Sequence, residues 1–256
     1  MRVAAVNRYP VKSFQGESLD SVDVDAAGLV GDRAWGVVEN ATGKVWSAKR
    51  HGVLLEASAR TTPDGPIITL PDGTVIEPDD ASRDARLSSW LGEAVSLRAA
   101  SAADDKVYEA SLQLDPDLEV FDMPMTPGRY LDLSPVHLLT TASLRAGAAN
   151  HPGGNWSADR FRPSIVVEVD EDVSEPTFVE NDWVGCSVRI GEVTLDVVLP
   201  TVRCVMTTRV QPPKRLERDL DIFKTLNRVN QQNLGVYANV TTPGTVRVGD
   251  AVERLV

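Results

Sequence analysis

The residues RCVMTT, 203 to 208, place one of only two cysteines in the chain between an arginine and a pair of threonines. A neighbouring cation lowers a thiol pKa and favours the thiolate, the form that attacks electrophiles and binds soft metals. Cys204 is therefore the first candidate for chemistry. A plain strand offers a second reading, in which period-two alternation packs Cys204 inward and turns Arg203 to solvent. Both stay open on local chemistry alone. The other thiol, Cys186, lies in WVGCSVRIG, where a small buried hydrophobe is the ordinary role. The histidines, His51, His137 and His151, are scattered without ligand spacing and read as packing or loop residues. The carboxylates from Asp117 to Asp122 read as an acidic loop rather than a paired acid and base. No G-x-S-x-G elbow, phosphate-cradling G-x-x-x-x-G-K-S/T loop, G-x-G-x-x-G fingerprint or H-E-x-x-H pair occurs, which leaves hydrolase, NTPase and Rossmann readings unsupported.

Composition bounds the setting of such a thiol. The chain has 256 residues, 42% of them hydrophobic, enough for one large or two small domains with a real core. Its net charge of −11 argues against nucleic acid or an anionic membrane as partner, since both reward clustered Lys and Arg with counterion release. In so acidic a chain, inward-facing Lys and Arg suit a small anion. Two cysteines without a C-x-x-C pair give no disulfide framework, zinc site or iron-sulfur cluster, and fit a reducing cytoplasm. The start carries no signal-type apolar stretch and no segment reaches ~18 unbroken apolar residues, so a soluble, unexported protein with no membrane partner is expected.

The elements that must position these residues are mostly strands. RVAAVNRYPV, SVDVD, RAWGVVEN, VLLEASAR, PIITL and TVIEP are short and separated by turn signals, the spacing of a barrel or sandwich. A helix is predicted over 81–92, with Asp79 or Asp80 as cap and Gly92 as stop, followed by the strand AVSLRAA. Residues 101–129 are acidic and weakly periodic and read as a connecting loop. SPVHLLTTASLRAGAAN reads as a loop into a short helix capped by Thr140, Thr141 or Ser143, and RFRPSIVVEVD as a strand. WVGCSVRIG, EVTLDVVL, CVMTTRV, GVYANVT and TVRVGDAVERL form a second β-system, interrupted by a helix with Ile222, Phe223, Leu226 and Val229 on one face. The fold class is mainly β with a few helices, in two interdependent parts.

Six segments in order, YPVKS (9–13), GLVGDRAW (28–35), YLDLSPVHLLTTASL (130–144), RFRPSIVV (160–167), RCVMTT (203–208) and GVYANVTTPGTVRVGDAV (235–252), resemble the MOSC family. More narrowly they are similar to its amidoxime-reducing branch. The resemblance implies a MOSC N-terminal β-barrel domain over 1–100, a connection over 101–129 and a MOSC β-barrel domain over 130–256, together holding a molybdenum cofactor. It also implies that Cys204 is the sole protein ligand to molybdenum and that Lys12, Ser13, Arg33, Arg162 and Arg203 contact the pterin and its phosphate. Four cations and a hydroxyl are what a dianionic phosphate requires, with Arg supplying bidentate forks and Lys a point charge. Asp132 and Ser134 match a pocket-wall stretch, and Thr208 closes the R-C-x-x-T-T frame beside the ligand. Where the family usually has Asn, this chain has Ser164, a shorter group that would lose one amide hydrogen bond to the pterin or require a water.

The activity so implied is reduction of a small N-hydroxylated compound, an amidoxime or hydroxylamine, with electrons from a separate ferredoxin- or flavin-type protein. The usual acidic segment after the threonines is replaced by Arg209 to Arg215, so the rim is more basic here. A rival reading makes the chain a carrier of the cofactor or of sulfur, with Cys204 as acceptor; no pyridoxal-phosphate desulfurase half is expected at this length.

Overall fold

The computed structural model describes residues 1–101, 106–110, 121–125, 128–170 and 177–255, so residues 117–120 of the acidic group lie outside it. Eight strands build the largest sheet, in the spatial order Val252–Leu255, Ser187–Ile190, Val193–Val202, Asn233–Thr242, Val136–Thr140, Ile165–Glu168, Arg2–Arg8 and Glu17–Leu19. Neighbours run antiparallel except Val136–Thr140 beside Ile165–Glu168. A parallel pair needs a crossover, and the helix Thr141–Asn150 supplies it, its first turn capped by Thr140, whose hydroxyl accepts from Ser143 N.

Two main cores sit under this layout, beside two smaller apolar clusters. One joins Val3, Val6, Val22 and Leu29 to Leu138, Ile165, Leu195 and Val236, so side chains from both ends of the chain share it. The other is built wholly from residues between Val11 and Leu97, among them Phe14, Leu54, Ile68 and Leu87. Around this second core lie the pairs Trp35–Glu39 with Val95–Ala99, and Ser58–Thr62 with Gly65–Thr69 and Val75–Ile76. The helix Arg83–Leu91 buries Leu87 and ends at Gly92 in the left-handed conformation (φ 75°). The structure is mostly strands with a few helices, as the turn spacing led one to expect. Among the described residues no helix is long and apolar enough to cross a membrane.

Four local expectations are corrected. Residues 136–140, read as part of a loop, form a strand buried at all five positions; a central strand covered on both faces loses the alternation that would mark it. Within 101–129, Val107–Ala110 pairs antiparallel with Phe121–Pro124 instead of running as plain connection. Cys186 is half-buried, not a core residue. The run after Arg203 is a tight helical turn, Val205–Thr208, rather than a strand. Pro200 explains much of that last difference. It has no N–H to give a ladder, the register of Val193–Val202 slips around it, and the chain leaves the sheet at Cys204. Thr207 and Thr208 then donate their hydroxyls to the carbonyls of Cys204 and Val205 at 3.0 and 2.8 Å, which closes the turn.

Candidate functional site

Because strand Val193–Val202 ends where it does, Arg203 and Cys204 emerge beside a cleft of about 300 Å3. Arg203 is tied in place by backbone: its N–H donates to Gln232 O at 2.9 Å and its carbonyl accepts from Gln232 Nε2 at 2.7 Å. The cleft wall opposite comes from the N-terminal half. The YPVKS loop is held by Lys12 N to Trp35 O (2.8 Å) and by Ser13 Oγ, which accepts from Ala48 N at 2.9 Å. Arg33 is fixed through its N–H to Tyr9 O at 2.7 Å. Between the two walls, Arg162 caps the short helix Ala158–Phe161, and Ser164 receives His137 N on its hydroxyl at 3.3 Å.

The structure thus brings to one cleft Lys12, Ser13, Arg33, Asp132, Ser134, Arg162, Ser164, Arg203 and Cys204. Thr208 is not among the residues lining it; its hydroxyl is spent inside its own turn. Cys204 is 9% exposed and keeps its carbonyl in the turn.

The backbone at this site is strained. Six non-glycine residues adopt positive φ among those described, and three of them, Ser13 (71°), Arg33 (46°) and Arg162 (56°), line the cleft. Left-handed backbone at such residues costs on the order of 1–3 kcal/mol and persists only where surroundings impose it, most often at functional sites.

The electrostatics point the same way. Among the described residues, Lys12, Arg33, Lys49, Arg162 and Arg203 face Asp132 as the one lining carboxylate, with Asp32 behind Arg33. Five cations against two carboxylates leave an excess of three positive charges. Burial raises the Asp132 carboxyl, but the Lys12 and Lys49 ammoniums overcome it and hold it well below the usual carboxylate range. Burial also opposes the Lys49 charge, and there Asp132 wins and lifts the ammonium above its ordinary value. Arg162 and Arg203 have no such partner. Burial pulls Arg162 down to about 10 and lowers Arg203 as well. Among the described residues, Arg162 Nη1 and Arg203 Nε find no hydrogen-bond partner although buried, while Arg162 lies 4.1 Å over the Tyr9 ring and Arg203 Nη2 donates to Phe161 O at 2.8 Å.

Several residues of the cleft escaped the sequence reading. Lys49 pairs with Asp132 at 3.1 Å and donates to Tyr108 Oη at 3.1 Å, and the Tyr108 ring lies between the Lys12 and Lys49 ammoniums at 4.6 and 4.7 Å. An ammonium that is 8% exposed had only one signal in the sequence, its place in the apolar run VWSAK. His137, read as a packing residue, is buried and does pack on Tyr237, but it also lines the cleft. Burial, aided by Arg203, holds its imidazole neutral.

A β protein with two main cores whose cleft carries a lone thiol amid surplus cations is the class that fold and site define. Its N-terminal residues 1–108 match the family model of the MOSC N-terminal beta barrel domain, and residues 128–253 match that of the MOSC domain. The chain belongs to the MOSC family. It is similar to the mitochondrial amidoxime-reducing component 1 of Mus musculus, 27% identical over 291 aligned residues that cover 98% of this chain and 81% of that protein. Similarity to the component of the same name from Homo sapiens is 26% over 288 residues, covering 98% of this chain and 82% of that one. Among solved structures, the YUAD protein from Bacillus subtilis aligns with a TM-score of 0.48 at 10% identity, covering 98% of this chain and 93% of that chain.

Proposed function

We propose that the cleft binds a molybdenum cofactor through Cys204 and reduces N-hydroxylated compounds such as amidoximes. The observation that carries this reading is the pair of buried, unpartnered guanidinium nitrogens on Arg162 and Arg203 in the wall that also holds the thiol. Buried donors are almost always satisfied, and an orphan in a cleft wall asks for an acceptor from outside the chain. A dianionic phosphate fits both the surplus of charge and the missing hydrogen bonds, and a soft thiolate fits molybdenum. The volume lies at the lower end of the roughly 300–1,000 Å3 usual for small-molecule sites. The likeness to amidoxime-reducing components supports the reaction class.

When bound, the cofactor supplies two-electron chemistry at the metal. The chain's own residues prepare the place. Cys204 Sγ would hold the metal. Arg33, Arg162 and Arg203 would neutralise the phosphate, and Arg162 and Arg203 would gain the acceptors that they lack when buried. Asp132 fixes Lys12 and Lys49 so that neither ammonium wanders into the space where substrate enters. Lys49 Nζ and Tyr108 Oη both hold their protons more firmly than usual, so they orient by donating hydrogen bonds and are poor proton sources. Overall, the N–OH group of an amidoxime takes two electrons and two protons, its N–O bond breaks, and amidine and water leave. The electrons come from a separate redox protein of ferredoxin or flavin type. Two free thiols suit a reducing compartment such as the cytoplasm.

The test is metal and pterin analysis of protein made in cells competent for molybdenum-cofactor synthesis, followed by assay with benzamidoxime and a chemical reductant. Molybdenum near one per chain with turnover is expected. Bound cofactor without turnover would favour a cofactor carrier instead, and protein free of both would end the reading.

A further inference from the structure

Ten large apolar side chains are exposed among the described residues, and three of them, Phe121 (40%), Leu133 (51%) and Val202 (44%), border the cleft. Isolated exposed apolar residues are ordinary on any surface. Three that arrive from separate segments at one opening are a built feature. Phe121 begins the strand Phe121–Pro124, Leu133 follows the Asp132 that anchors both lysines, and Val202 ends the strand that delivers Cys204. Met123 and Met206, flexible and polarizable, line the same cleft. One space therefore combines a cationic wall with an apolar mouth.

We infer that Phe121, Leu133 and Val202 form a specificity collar that selects substrates whose reducible nitrogen is carried on an uncharged apolar body, such as an aryl ring. The inference rests on the reductase reading of the cleft and assigns the part of the substrate that does not react. A compact polar substrate gains nothing from these side chains and leaves them wet. A cationic one would give up hydration against these apolar side chains with no ion pair in return. An uncharged aryl group removes apolar surface from water on both partners, and does so continuously with the cavity. A protein partner is the poorer occupant, because three side chains fall far below the ~800 Å2 per partner of a standard interface.

The experiment uses cofactor-loaded protein and the variants Leu133→Ser, Val202→Ser and their combination; both positions are exposed, and thermal melting checks that each variant is folded. Benzamidoxime and acetamidoxime share the reacting group and differ in the body attached to it. The ratio of their kcat/KM values is expected to favour the aryl substrate and to fall about tenfold in the double variant, the equivalent of about 1.4 kcal/mol. Alongside, binding of 2-naphthamide, which has no N–O bond, is followed by ligand-detected NMR and is expected to weaken by a similar factor. An unchanged ratio with unchanged naphthamide affinity overturns the collar while leaving amidoxime reduction standing. Naphthamide binding that depends on the collar, in a protein that reduces neither amidoxime, keeps the collar as an apolar binding site and removes the reductase reading. Variants that change only the oligomeric state or the KM for the electron-donor protein would make this mouth a docking surface and overturn the proposal.

Discussion

Arg162 concentrates the conflict at the site: a left-handed backbone, a charge held at about 10 by burial, and a nitrogen with no acceptor. Removing the charge should therefore act in opposite directions on the empty and the loaded protein. Arg162→Met keeps most of the stem and deletes the cation, so the cofactor-free protein should gain about 1–3 kcal/mol, the usual cost of an unsatisfied buried donor. The same variant should hold less molybdenum. Thermal melting and metal analysis on the one variant check both halves, and a fall in both would mark Arg162 as a scaffold residue. Cys204→Ala removes a small volume at a cleft edge, so it should melt close to the parent yet retain no molybdenum, with Cys186→Ala as a control that keeps it. Much of the cleft was readable only through the family resemblance carried by RCVMTT, YPVKS, GDRAW and RFRPS, because taken singly the cations of these short segments read as ordinary surface charges. Lys49, Tyr108 and His137 were not readable, since each joins the cleft through tertiary approach and no local spacing hints at a cavity.

Elements explain how such segments are aimed, and one element carries a titratable group of its own. The tight helix Val179–Trp183 buries Glu180 fully, with Thr140 Oγ1 donating to Oε2 at 2.6 Å and Ser143 Oγ donating to the same oxygen. Glu180 so ties that helix to the strand Val136–Thr140 and to the capped helix that follows it. Burial pushes the carboxyl above its ordinary value, and the two hydroxyls offset only part of it. With the folded pKa above the unfolded value of about 4.3, the folded chain binds the extra proton. Its contribution is fully present below pH ~4.3 and is lost as pH rises through the folded value. Urea titrations across pH 4 to 8 should show parent stability falling with pH relative to Glu180→Gln, which has no proton to lose. A parallel pair of curves would mean that the carboxyl titrates alike folded and unfolded. The sequence marked Thr140 and Ser143 as caps, and Thr140 does cap; it gave no sign that a glutamate forty residues on would use the same hydroxyls, because that contact depends on a crossover and not on local spacing.

At the scale of the whole molecule, the first strand lies inside the sheet built by the second half of the chain. Arg2–Arg8 pairs with Ile165–Glu168, Ser21–Asp25 pairs with Gly244–Arg247, and Val3 N donates to Asp250 O at 2.9 Å. The short strands and turn signals made a β-rich fold legible, but which strand pairs with which is set by long-range burial, and period alone says nothing of it. Cutting the chain at the acidic connection should therefore separate sequence without separating structure. A fragment of residues 130–256 would expose the edge of Ile165–Glu168 and open the core around Ile165, Val167 and Leu138, which Val3 and Val6 otherwise close. It should be aggregated or unfolded by circular dichroism and NMR when made alone. A fragment of residues 1–129 keeps the second core entire, from Val11 to Leu97, and should retain more strand content, while leaving Val3, Val6, Val22 and Leu29 bare. Mixing the two should restore both the fold and the cationic cleft, because Lys12 and Arg33 come from one fragment and Arg162, Arg203 and Cys204 from the other. Recovery of cofactor binding on mixing would show that the halves meet as drawn; a 130–256 fragment that folds and binds cofactor unaided would show that the shared sheet is dispensable.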